Sequence, residues 1–96
     1  MYEKEATMLV RALQLRVPGH PTATKGPGPT STVRYATEGT PVVFEVTFAA
    51  GRIAVQASRD PDGIVWGARE HPISTAGVAQ AVAEMVEWWG QLPRSG

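Results

Sequence analysis

Apolar and polar positions change rhythm along the chain, and the changes divide it into five blocks. From 3 to 16 the rhythm is helical. Tyr2, Ala6, Leu9, Leu13 and Val17 recur at helical spacing with Val10 beside them, while Glu3, Thr7, Arg11 and Gln14 fall opposite. Met8, Ala12 and Leu15 add a second apolar strip next to the first. The apolar arc is therefore wider than one contact surface needs. Pro18-Gly19 stops the helix.

Residues 18–31 hold Pro18, Pro21, Pro27 and Pro29 with Gly19, Gly26 and Gly28, a composition that predicts an extended linker. From 32 to 69 the rhythm is two. Val33 and Tyr35 alternate with Arg34; Val42, Phe44, Val46 and Phe48 with Val43, Glu45 and Thr47; Ile53, Val55 and Ala57 with Ala54 and Gln56. Turns are expected at Glu38-Gly39, Ala50-Gly51 and Asp60-Pro61-Asp62-Gly63. Closing them tightly sets Tyr35 against Val42, Val33 against Phe44, Phe48 against Ile53, Val46 against Val55 and Ala57 against Trp66. All three turns then place the large apolar side chains on one face, and a one-residue slip scatters them. From 75 to 91 the helical rhythm returns. Val78, Val82, Met85, Val86 and Trp89 form the stripe, Gln80, Glu84 and Glu87 lie opposite, Ser74 or Thr75 caps the start, and Gly90 and Pro93 end it.

The expected architecture is a single α+β domain over 1–96, in the order α-β-β-β-β-α. It is a four-stranded antiparallel meander with both helices packed on one face. The order resembles that of the double-stranded-RNA-binding domain. That family has three strands and a lysine cluster opening its last helix, where this chain reads Ile73-Ser74-Thr75-Ala76-Gly77. The resemblance is one of topology, and the phosphate-gripping positions are not occupied by cations.

Composition narrows the chemistry. The 96 residues contain no cysteine, which excludes disulfides, thiolate metal sites and cysteine nucleophiles. Nine Lys and Arg balance nine Asp and Glu. This removes the general electrostatic argument for nucleic acid or an anionic membrane as partner. Residues 1–36 carry a balance of about +3 and the remainder about −3, which suits pairing of copies, including a homodimer through helix 3–16. Met8–Leu15 is too short and too interrupted to span a membrane or act as a signal, so a cytoplasmic location is expected.

No catalytic set, metal-ligand set or cofactor motif assembles. His20 and His71 are the only imidazoles, and Glu70 beside His71 points the other way on a strand. Asp60 and Asp62 fall short of a calcium loop, because Arg69 stands where the bidentate carboxylate belongs.

The leading expectation is a non-catalytic protein-binding module: a small accessory, inhibitor or chaperone-like protein that occludes a surface. Trp88, Leu92, Met8, Leu15 and Ala12 are its candidate contacts, because they border the apolar stripes. One alternative is nucleic-acid binding through Arg34, Arg52 and Arg69 on the outer sheet face together with the basic N-terminal region. Another is a small-ligand or enzymatic site near His71, with Glu70 and His20.

Overall fold

The computed structural model describes residues 3–25, 30–60 and 62–91. Helix α1 (Glu3–Gln14) is followed by strands β1 (Gly19–Lys25), β2 (Ser31–Thr37), β3 (Val42–Ala49), β4 (Arg52–Arg59) and β5 (Ile64–Pro72), and then helix α2 (Thr75–Gly90). The strands form one antiparallel sheet in sequence order. The α+β class holds, with five strands where the sequence pattern predicts four.

The extra strand is β1, in the segment expected to be linker. Gly19–Lys25 pairs with Thr37–Ser31 along its whole length. The Glu38 amide donates to the Pro18 carbonyl at 2.9 Å. Alternation from that bond turns the backbone of Gly19, Pro21 and Ala23 toward the free edge. Proline is tolerated there because its missing N–H would have met water. Gly19 is needed because a β-carbon would sit 2.5 Å from the Tyr35 ring. Pro27 and Gly28 lie outside the described residues.

Ala50-Gly51 behaves as the pattern predicts. Both residues have positive φ (51° and 74°), the left-handed pair of a tight hairpin, and Phe48 faces Ile53 while Val46 faces Val55. The β2–β3 register differs from expectation. Tyr35 faces Phe44 and Val33 faces Val46. The connection is longer than a two-residue turn, and the Thr37 hydroxyl secures it by donating to the Val42 carbonyl at 2.7 Å. A slide of two residues keeps every side chain on its face.

The larger correction is in β5. Ser58 pairs with Val65 and Ala57 with Gly67, so Trp66 is an extra residue in a β-bulge. Past the bulge the phase reverses. Gly67, Arg69 and His71 share the face of Ala57, Val55 and Ile53, and Ala68 and Glu70 share the face of Gln56 and Ala54. Trp66 therefore does not face Ala57, and Arg69 is not on the outer face.

One core results. Leu9, Leu13 and Val17 meet Val33, Tyr35, Phe44, Val46, Phe48, Ile53, Val55 and Ala57 of the sheet and Val78, Ala81, Val82 and Met85 of α2. The Tyr35 hydroxyl donates to the Val17 carbonyl, fixing the end of α1 to β2. On α2 the Ser74 hydroxyl accepts from the Gly77 amide at 2.9 Å. Its buried stripe runs Gly77, Val78, Ala81, Val82, Met85, turned toward Trp88 from the expected Val86 and Trp89 side. Trp88 lies flat on β5: a β-carbon on Gly67 would come within 2.5 Å of its ring. The Trp66 indole N–H donates to the Trp88 carbonyl at 3.2 Å.

Gly67→Ala should therefore lower the unfolding free energy by about 1–3 kcal/mol. Gly90→Ala, which meets nothing within 4 Å, should leave stability unchanged or higher. Urea unfolding followed by tryptophan fluorescence measures both. Burial, and secondarily the charge of Glu38, raises the Tyr35 phenol above its ordinary pKa. The folded state thus holds the Tyr35 proton more tightly than the unfolded state, and stability should be full below about pH 10 and fall above it. Titration by phenolate absorbance should show Tyr35 ionising after a free tyrosine.

Candidate functional site

Helix α1 positions three apolar surfaces about 100° per residue apart. Its centre, Leu9 and Leu13, is buried in the core. One shoulder carries Met8, Ala12 and Leu15. Ala12 is half-buried against the core, Met8 is 38% exposed and Leu15 is 86% exposed. These three predicted contacts lie together. Met8 also borders a shallow cleft with Lys4, Glu5, Ile73, Ser74 and Val78, where the first turns of the two helices meet.

The other shoulder opens on a groove of about 360 Å³ between α1 and the β1 edge. Ala6 and Val10 form one wall; Pro21, Ala23 and Val33 form the floor and far side; Thr7, Arg11 and Gln14 stand at the rim. Pro21 and Ala23 are exposed, because the helix layer reaches β2 and stops short of β1. Sequence reasoning missed this groove. It read 18–31 as linker, and without a strand there α1 has no second wall.

Trp88 is not part of either surface. It sits ten residues, about 15 Å of helix, beyond Val78 and covers Gly67 at the opposite end of the helix layer. Leu92 lies outside the described residues. Ile64 and Val65, 54% and 48% exposed at the start of β5, add apolar surface away from α1.

The arginines of the nucleic-acid alternative fall on two faces, each beside a carboxylate. Arg34 lies 3.9 Å from Glu45 and 3.8 Å from Asp60. Arg52 lies 4.0 Å from Glu70. Arg69, on the helix side, lies 3.2 Å from Glu84.

His71 is buried by the same phase reversal. Its Nε2 lies 2.6 Å from Glu84 Oε1. The approach is off the hydrogen-bond line, so the attraction is one of charge when the imidazole is protonated. Glu84 thus bridges His71 and Arg69 and ties α2 to β5. Glu70 points to the outer face with Arg52, and His20 is exposed on β1, so the three residues of the small-ligand alternative do not converge. Glu84 was hidden because its helical position reads as solvent-facing. Among the described residues, no three His, Asp or Glu side chains gather as a metal site, and no helix is long and apolar enough to cross a membrane.

Glu84→Ala removes the carboxylate that His71 and Arg69 share across the α2–β5 contact and should cost about 0.5–3 kcal/mol of stability. Glu70→Ala breaks only an exposed pair and should change stability by less than about 0.5 kcal/mol. Parallel urea titrations of the two variants separate the roles.

Comparison with protein-family models, with curated proteins and with solved structures finds no match for this chain.

Proposed function

We propose that this chain is a non-catalytic protein-binding module, a small accessory or inhibitor-like protein of the cytoplasm that works by occluding a surface on its partner. The observation that carries the reading is the surplus of apolar surface on α1. The helix buries Leu9 and Leu13, and still presents Leu15 and Met8 on one side and the Ala6–Val10 groove on the other. Folding alone needs only the buried stripe, and exposed apolar surface next to a groove is what a docking partner would cover. The balanced net charge and the scatter of Arg34, Arg52 and Arg69 over two sheet faces, each beside a carboxylate, weigh against nucleic acid as the main partner.

The test is capture from nuclease-treated source-cell extract on the immobilised full chain. Met8→Ala with Leu15→Ala, and separately Ala23→Glu, are run in parallel. All are exposed positions, and circular dichroism confirms folding of each variant. The expected result is a protein retained by the wild type and lost from at least one variant. Retention of the same proteins by every variant, or retention that nuclease abolishes, contradicts the reading.

A further inference from the structure

The groove beside α1 also constrains what can occupy it. We infer that it receives an acidic amphipathic helix from a protein partner, apolar side down and carboxylates toward α1. The inference rests on the binding-module reading above and adds the chemistry of the ligand.

Charge is the first argument. The described arginines of the sheet, Arg34, Arg52, Arg59 and Arg69, each pair with a carboxylate. Arg11 at the groove rim is exposed and forms no ion pair among the described residues; Arg16, just past the helix, lies outside the groove lining. Glu38 sits beside Pro18 through its backbone and pairs with neither. The groove is thus apolar at its floor and has one unpaired cation, Arg11, on its α1 rim. A segment with carboxylates flanking an apolar stripe complements both features.

Backbone geometry is the second argument. An extended segment would dock by adding a strand to β1, but Pro21 stands in the outward phase and interrupts the ladder at its centre. A helix satisfies its own backbone and needs only the side-chain surface, as in helix-in-groove recognition.

A second copy of the chain suits the groove less well. The chain's acidic helix is α2, and its apolar stripe is in the core. Glu84 is taken by His71 and Arg69, and Glu87 accepts from the Gln91 side chain at 3.3 Å. The other helix, α1, carries Lys4 and Arg11 beside Glu3 and Glu5, so it has no net negative charge to offer Arg11. A partner from elsewhere fits better than self-association.

The experiment uses the full chain and two synthetic peptide panels. Both carry Leu at i, i+3, i+4 and i+7; one has Glu at the remaining positions and the other Lys. Binding is followed by amide chemical shifts and by fluorescence anisotropy. The Glu panel should bind about tenfold or more tightly than the Lys panel, with shifts concentrated at Ala6, Val10, Ala23 and Val33. Ala23→Glu should abolish binding, and Arg11→Glu should reverse the preference. Equal binding of both panels, shifts confined to another surface, no binding of the Glu panel, or dimerisation of the free chain that Ala23→Glu disrupts would overturn the inference. If extract capture still yields a protein that Ala23→Glu releases, the binding-module reading stands while the acidic-helix inference falls. If capture fails as well, both fall.

Discussion

The helix side of the structure depends on one extra residue in β5. The bulge that sets Ser58 against Val65 and Ala57 against Gly67 reverses the phase of everything after it. Without it, Ala68 and Glu70 would face α2, and Gly67 and His71 would face away. With it, the smallest residue of the strand lies beneath one of the two tryptophans of the helix, Trp88 on Gly67. Glu84 then finds both an imidazole and a guanidinium across the same contact. Trp66, set aside by the bulge, closes the arrangement through its indole N–H to the Trp88 carbonyl.

The opposite edge repeats the device with different residues. Tyr35 lies over Gly19 as Trp88 lies over Gly67, so each edge strand places a glycine beneath an aromatic ring. Each edge also carries a proline in its outward phase, Pro21 on β1 and Pro72 on β5, which blunts pairing with a further strand. The two edges differ in their cover. At β5, α2 is fastened by Trp88 and Glu84. At β1, α1 is fastened through Val17 to β2, one strand short of the edge, and the groove is the uncovered remainder. The surplus apolar surface of α1 thus follows from five strands being wider than two helices, one of which is only three turns long.

Much of the fold was legible in the sequence where a single rule decided. The alternation of Val42–Phe48 and Ile53–Ala57 and the Ala50-Gly51 turn are local and mutually consistent, and that hairpin forms as written. The failures share a cause: a local signal was overridden by a partner distant in sequence. Gly19 and Pro21 read as linker because their tolerance in a strand depends on the Tyr35 ring and on being at an edge. The β5 phase was misread because no residue type announces a bulge, and the register of the Asp60–Gly63 turn, carried on without one, set Trp66 against Ala57. In the site, Met8, Ala12 and Leu15 were visible as a surplus strip. The groove wall and the Glu84 bridge were not, since each needs a strand placement that the pattern did not give.

The central claim is that the apolar flank of α1 facing β1 is a protein-contact surface. Site-specific photo-crosslinking in source cells tests it most directly. A benzophenone side chain is placed at Ala23 in the groove in one strain and at Ala54 on the outer sheet face in another. The account predicts a discrete protein adduct from Ala23 and none from Ala54. An adduct from Ala54 alone, or none from either position, would contradict it.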